Sequence, residues 1–398
     1  MTTEDLKRAK QFTPGGSQTN GRRHGVVGPE TYPAFATGAS DAYVFFEDGE
    51  RAIDLAGASA ACPLGFNHPA ITAEVSKHLG SVGLLSLPTK LEAEVSERFI
   101  DLMPFTGMVR WVRTGSEAVS GAVAIAQELT EKQTIGMFTG AYHGWHPWTR
   151  QIAYAMPSLL MESDIPEERY ESAVDWESLA AVLIESPRWK LVDDTYIQRL
   201  ERLKNVCSKT DTLLIYDDVV YGFRFATCGL QEDTMVRPDI ACFSKAIGNG
   251  IPVACLVGKP SVMKKAEYRV SSTFGPETMG LAAANAVLKI HGERDICGEL
   301  LQIGVKLQSE LREVLRGTPI SISGTPQHFK FESETEEELD RFLSACMAVN
   351  SKQHTKVLIH RSANNVNLAM DESIIANIVR TIGSVVEVLY VQKLTAIQ

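Results

Sequence analysis

The stretch PDIACFSKAIGNGIPVACLVG, residues 238–258, places one amine, Lys245, between two apolar runs. Ile240 to Phe243 precede it, and Ala246, Ile247 and a glycine-rich turn follow. Lysine is almost never fully buried without compensation, because an ammonium loses its hydration there. The runs DIACFS and VACLVG have the length and apolarity of buried strands. The chain thus sets an amine just past a strand, and that position calls for a chemical reason.

Strands of the same kind recur on both sides of this stretch. From about residue 105, short apolar runs alternate with helical patterns: MVRWV and the helix SEAVSGAVAIAQEL, QTIGMF, LAAVLIES and the helix DTYIQRLERLKNVCSKT, then TLLIYDD. Such alternation predicts an α/β fold with a largely parallel sheet covered by helices. Upstream, HPAITAEVSKHLG and TKLEAEVSERFIDLM have helical spacing of apolar positions. AYVFFEDGERAIDL, residues 42–55, reads as a hairpin around a two-residue Asp48-Gly49 turn.

The pattern changes after about residue 290. QHFKF, KVLIH and NVNLAM read as strands, and the chain closes on a long apolar-periodic helix. TEEELDRFLSACMAV reads as a helix with Thr335 and Glu338 in capping-box spacing. The expected organisation is an N-terminal arm over 1–50 belonging to a smaller lobe, a large domain over 51–290 and a small α+β domain over 291–398. The polar stretch ESDIPEERYES, 162–172, is expected as a surface loop.

Composition narrows the function classes. A chain of 398 residues has room for a large α/β domain with a smaller lobe. A net charge of −10 argues against a nucleic-acid surface and an anionic membrane partner. A small anionic ligand needs only local donors and stays open. The seven cysteines, at 62, 207, 228, 242, 255, 297 and 346, form no CxxC pair, which argues against a disulfide framework or structural zinc. MTTEDLKRAKQF lacks the apolar core of a signal peptide, and the longest clean apolar runs fall short of a membrane span. A reduced, soluble, cytoplasmic protein is expected.

Three further constellations flank the lysine. LLIYDDVVYGFR runs a buried strand into Asp217 and Asp218, and in open α/β sheets ligands sit at the carboxyl ends of strands. The alternative for either acid is an ordinary cap or loop ion pair. VRWVRTGSEAVSGAVAIA runs a strand through Thr114-Gly115-Ser116 into a small-residue helix. A helix N-terminus of this kind is a ready anion site, though Ser and Thr also favour plain caps. No GxxxxGK[ST] is present to make it a nucleotide P-loop. Tyr142-His143-Gly144-Trp145 follows another strand-like run, and its aromatic suits stacking on a flat ligand or an ordinary core. His143 and His146 lack the Glu of HExxH and an evident third ligand, so a metal is not expected.

Taken together these groups ask for one ligand with an anionic group, a flat ring, a basic ring atom and a carbon that an amine attacks. Pyridoxal phosphate has all four, and lysine forms a Schiff base with its aldehyde. As an imine, Lys245 is no longer a free ammonium. Desolvation also lowers a free amine's pKa and improves it as a base.

The same residues resemble the class III aminotransferases of pyridoxal-phosphate fold type I, nearest the glutamate-1-semialdehyde aminomutase branch. PGG at 14–16, RTGSEAVSGA, GAYHGW, YDDVVYGFR, FSKAIGNGIPVACLVG and SSTFGPETMGLAAA carry the resemblance, which covers nearly the whole chain. It implies that Lys245 forms the Schiff base, Asp217 pairs with the pyridine nitrogen, Val219 packs on one ring face and Tyr142 stacks on the other. It implies that Gly115 and Ser116 bind the phosphate, and that Thr273 reaches the phosphate of a partner subunit in a homodimer. Arg22 or its neighbour Arg23 is implied to meet the substrate carboxylate. Four positions depart from the family pattern: Asp218 for the second acid, Ser244 before the lysine, Glu277 in GPET, and Ser59 where the aminomutase branch carries tryptophan.

The implied activity is amino-group transfer on a small carboxylated or sugar-like amino substrate. Decarboxylation or racemisation of an α-amino acid is the alternative on the same cofactor. A nicotinamide dehydrogenase would need GxGxxG after a strand, and none is present. An inert binding module of the same fold would have lost the lysine or its acid, and both are present.

Overall fold

The computed structural model describes residues 3–81, 83–105, 107–151, 153–162, 166–265, 269–350 and 352–392. The chain divides into two compact units, Pro69–Cys297 and Met1–His68 with Gly298–Gln398.

The first unit is built on seven strands: β1 Met108–Val112, β2 Thr134–Phe138, β3 Ala153–Met156, β4 Leu179–Glu185, β5 Leu213–Asp217, β6 Ile240–Phe243 and β7 Ala254–Gly258. Their order across the sheet is β1-β7-β6-β5-β4-β2-β3. All neighbours are parallel except β7, which runs antiparallel to both β6 and β1. This is the α/β sheet expected of fold type I.

Its central strands are covered on both faces. Leu179–Ile184 are buried one after another, as are all of β6 and β7, so the sequence shows continuous apolar runs instead of alternation. β3 escaped the sequence reading because it is a short edge strand with Tyr154 and Ala155 exposed. Helix α1, Gly115–Thr130, buries the small-residue stripe Ala118, Gly121, Ala122 and Ala126. A Cβ on Gly121 would meet Val270 Cγ2 at 3.0 Å, so the small side chains set how closely the helix is packed. Helix α2, Asp194–Lys209, is capped by Asp193 and turns Leu200, Leu203, Val206 and Cys207 inward. Between β3 and β4, Glu167–Glu171 is a short helix within the stretch expected as loop; residues 163–165 of that stretch lie outside the described residues.

The second unit has two small sheets. One joins Gly38–Ser40, Tyr43–Phe45, Arg51–Asp54 and, in parallel, Lys356–Leu358. The hairpin at 42–55 closes by a three-residue loop, not a two-residue turn. Phe46 N–H donates to Glu50 O (2.9 Å), and Gly49 takes the left-handed conformation (φ 80°) that this loop requires. The other sheet is antiparallel: Ser321–Gly324, His328–Glu332 and Asn364–Asn365. NVNLAM is not a strand. Of it only Asn365 pairs, with Asn364 before it; beyond them Asn367 Oδ1 accepts from Ala369 N (3.0 Å) and Met370 N–H donates to Asn367 O (3.1 Å), which turns the chain.

The helical span Glu372–Val391 corrects the expectation on apolar runs. By length and composition alone it is long and apolar enough to cross a membrane, with a mean hydropathy of 1.7. Its Ile374, Ile375, Ile378, Ile382, Val385 and Val386 form a buried stripe, and Tyr390 at its far end donates to Glu338 beside the Arg341 guanidinium.

Behind β6 lies an aromatic cluster. Phe99 is fully buried, with its ring centroid 5.4 Å from Phe243, 5.8 Å from Trp111 and 6.1 Å from Phe223. Phe99→Ala should therefore open a cavity under the strand that leads to Lys245 and lower the free energy of unfolding by about 3–5 kcal/mol. Denaturant titration checks this, and an unchanged unfolding midpoint would show that the cluster does not hold the strand.

Candidate active site

The carboxyl ends of five strands of the first unit converge on one cavity. β5 ends in Asp217, and β6 runs through Ser244 into Lys245. β1 leads through Thr114 into α1, β2 leads to Tyr142, His143 and Gly144, and β4 ends in Glu185.

Asp217 is buried and held from two sides. His143 Nδ1 donates to Oδ2 (2.8 Å), and Val219 N–H donates to Oδ1 (3.2 Å). His143 is likewise buried, and among the described residues its Nε2 has no partner. The sequence had offered His143 only as a rejected metal ligand, and its bond to a residue 74 positions away left no local signal. His146 turns elsewhere, hydrogen-bonding Ser120 Oγ through Nδ1 (2.6 Å).

Asp218 points away from the cavity. It is fully buried and accepts from Ser186 Oγ (2.6 Å) and Leu230 N (3.0 Å). Burial pushes its carboxyl up to about 7, against the pull of these two bonds. A Cβ on Gly229 would lie 2.3 Å from Asp218 Oδ2, so only glycine fits beside the acid.

Lys245 is half-buried and sits in the left-handed backbone region (φ 50°), which is strained for a residue with a side chain. Burial pushes its amine down to about 8. The Asp217 carboxylate opposes that shift, and the Arg188 and Arg224 guanidinium groups reinforce it. Ser244 anchors the turn by donating from Oγ to Val253 O (3.2 Å).

The N-terminus of α1 forms the opposite wall. Thr114 and Glu117 make a full capping box there. Among the described residues, the N–H groups of Gly115 and Ser116 form no hydrogen bond and remain as donors for an anion. Val219 is packed against Gly115, where a Cβ would stand 2.8 Å from its Cγ1. Gly144 (φ 90°) passes so close to Ser116 that a Cβ would meet its Oγ at 2.5 Å. Tyr142 is exposed, with its N–H donating to Glu185 Oε2 (3.0 Å). A flat ring carrying a phosphate, a basic nitrogen and an aldehyde fits these residues: donors at one end, a carboxylate at another, an apolar wall and an amine.

Thr273 and Glu277, of the same unit, do not line this cavity. Thr273 lies exposed on a turn beside Ser272, whose Oγ donates to Glu117 Oε1 (3.3 Å). Glu277 caps the helix Thr278–Glu293, accepting from Met279 N (2.9 Å) and Gly280 N (3.1 Å), and pairs with Arg113 Nη1 (2.9 Å). Arg22, Arg23 and Ser59 belong to the second unit. There Arg22 Nε donates to Thr19 Oγ1 (2.9 Å), Arg23 lies over Gly15, and Ser59 is exposed in a left-handed run with Ala58 and Ala60. Glu185 and Arg188 were missed by sequence reasoning; their only signal was a place just past the end of an apolar run.

Comparison with known proteins identifies the family. The family model for class-III aminotransferases matches residues 26–168 and 168–356. A 3-aminobutyryl-CoA aminotransferase of Cloacimonas acidaminovorans is 30% identical over 340 residues, covering 81% of this chain and 80% of the relative. A glutamate-1-semialdehyde 2,1-aminomutase of Alkaliphilus oremlandii is 27% identical over 394 residues, covering 92% and 91%. Among solved structures, the FumI protein of Sphingopyxis sp. MTA144, in its pyridoxal-phosphate internal aldimine form, superposes with a TM-score of 0.84 at 21% identity, covering 97% of this chain and 95% of that one. An omega-transaminase from Sphaerobacter thermophilus gives 0.80 at 22%, covering 96% of each. On these matches this chain belongs to the class-III aminotransferases and is an enzyme whose cofactor is pyridoxal phosphate.

Proposed function

We propose that this enzyme moves an amino group on a small carboxylated or sugar-like substrate, and that Lys245 carries the cofactor as a Schiff base through Nζ. One observation carries the reading: Lys245, Asp217 and the open N-terminus of α1 line a single cavity. When bound, pyridoxal phosphate supplies an aldehyde for amines and an electron-withdrawing ring. Everything else falls to the chain. Gly115 and Ser116 offer N–H groups to the phosphate. Asp217 lies at the end of a buried strand, oriented by His143, and holds a proton on the ring nitrogen. Val219 closes one face of the ring and Tyr142 the other. Between these walls Lys245 Nζ accepts and returns the proton that moves during transfer, a role favoured by an amine that burial pushes down to about 8.

A scan of amino donors tests the activity through the change in cofactor absorbance on mixing. Lys245→Ala should still bind pyridoxal phosphate, lose the visible band that borohydride abolishes, and lose turnover. Full activity in that variant would end the proposed role.

The lysine's pKa gives a sharper test, made on cofactor capture by the apoenzyme. A neutral amine is the competent form, so capture should speed up as pH rises. With the amine pushed down to about 8, the rate should rise about tenfold between pH 7 and 9 and then level off. A climb that continues past pH 10 would return the amine to its ordinary value.

Thr273 stands outside the cavity of its own chain, which supports its proposed role at the phosphate of a partner copy in a homodimer. Thr273→Ala should then weaken cofactor affinity without changing the fold. A fully active species of about 44 kDa in gel filtration would sink this assembly.

A further inference from the structure

A second cavity, of about 610 Å³, opens at the opposite end of the strands from the first. It lies at the amino ends of β5 and β6, beside the last turns of α1 and α2. Lys132, Lys204 and Lys259 line it together with one carboxylate, Asp239, and all four are half-buried. Glu177 and Asp211 also border it, but both are exposed and keep their hydration.

Lys204 Nζ donates to Asp239 Oδ2 (2.6 Å) and Lys259 Nζ to Oδ1 (2.7 Å). Lys132 Nζ donates to Thr210 O (2.8 Å), just past α2. An ammonium carries three donors, and among the described residues these contacts take one from each. One lysine would suffice to balance Asp239. Three half-buried ammonium groups against one half-buried carboxylate leave two positive charges over. Burial lowers the Lys204 pKa and the Lys259 ammonium lowers it further, against the pull of Asp239, so the two cations strain against each other. Asp239 would not be stranded if either lysine turned to another anion, because its Oδ2 also accepts from Leu214 N (2.9 Å). Half-buried cations in excess are relieved by an anion that brings the missing charge and accepts the spare N–H groups.

We propose that this cavity is a second ligand site, which holds a small dianion between Lys132, Lys204 and Lys259. The ligand's class is a phosphate monoester or a dicarboxylate, since either brings the two negative charges the wall lacks. The site is separate from the reaction cavity, and the two share no residue.

Calorimetry on the holoenzyme tests this with inorganic phosphate, succinate and, as a monoanion, acetate. None carries an amine or an aldehyde, and saturating cofactor keeps them off the N-terminus of α1. Phosphate, succinate or both should bind more tightly than acetate, and less tightly as salt rises. Lys204→Gln and Lys259→Gln should each weaken dianion binding about tenfold, whereas Lys259→Arg should keep most of it. The dianion should also raise the unfolding midpoint of the unaltered enzyme, and do so less in Lys259→Gln. Lys132→Gln leaves both Asp239 pairs in place, so its loss of affinity reads the site in a chain whose fold is kept. Binding of phosphate alone assigns the site to phosphate esters, of succinate alone to dicarboxylates, and of both to any small dianion. No dianion binding at millimolar concentration, no preference over acetate, or unchanged affinity in all three glutamine variants would overturn the proposal.

Discussion

Lys245 is caught between two forces. Burial strips water from its amine and drives the pKa down to about 8, while the Asp217 carboxylate pulls the charged form back. A free ammonium drawn further inside would lose too much hydration, and an amine left in water would stay protonated and inert. The balance depends on Lys245 remaining where β6 delivers it, in a left-handed conformation its side chain disfavours. The strand cannot relax that strain by sliding. β6 is hydrogen-bonded to β5 on one side and β7 on the other, and Phe243, two residues before the lysine, is wedged edge-on against Phe99. The aromatic cluster and the antiparallel β7 therefore fix the position of the amine without touching it.

The neighbouring acids show how the fold separates two tasks. Asp217 and Asp218 have the same side chain on successive residues of an extended segment, so they face opposite sides. Asp217 turns to the cavity and takes its orientation from His143 and Val219. Asp218 turns into the protein, where Ser186 and the Leu230 amide satisfy one oxygen and Gly229 makes room for the other. Its carboxyl, pushed up to about 7 by burial, links the segment after β4 to the start of the helix Leu230–Thr234. One acid faces the cavity and the other fixes the loop that follows it.

What could be read from the sequence follows the same division. Strands β4, β5, β6 and β7 were legible because burial on both faces leaves continuous apolar runs, and β1 and β2, which are only partly buried, because they alternate with helical patterns; Lys245 and Asp217 stand at the ends of such runs. The edge strand β3 was not, since half of it meets solvent and its run is short. The hairpin at Asp48-Gly49 was placed correctly, but its loop length was not: Asp-Gly fits two loop types, and only the Phe46–Glu50 pairing chooses between them. The stretch NVNLAM read as a strand because its apolar residues alternate, a pattern blind to the Asn367 side chain that captures the Ala369 N–H. His143, Glu185 and Arg188 share a deeper reason for being missed. Each acquires meaning from a partner or cavity brought near by other strands, and a linear pattern does not encode that distance.

The groups proposed to handle the cofactor stand on rigid ground: strand ends inside a covered sheet, and a helix N-terminus locked by a double cap. Transfer chemistry needs its atoms held closely, because a misplacement of about 1 Å is felt in the rate. Substrate recognition has the opposite requirement, since the site must admit and release successive molecules. Positions past the strand ends have that freedom. The Glu185–Arg188 pair is half-buried. Its Arg188 lies just past β4, where a side chain can turn without disturbing the sheet. Chemistry at the strand ends, with looser side chains one step beyond them, lets this fold change its pocket while keeping the sheet intact.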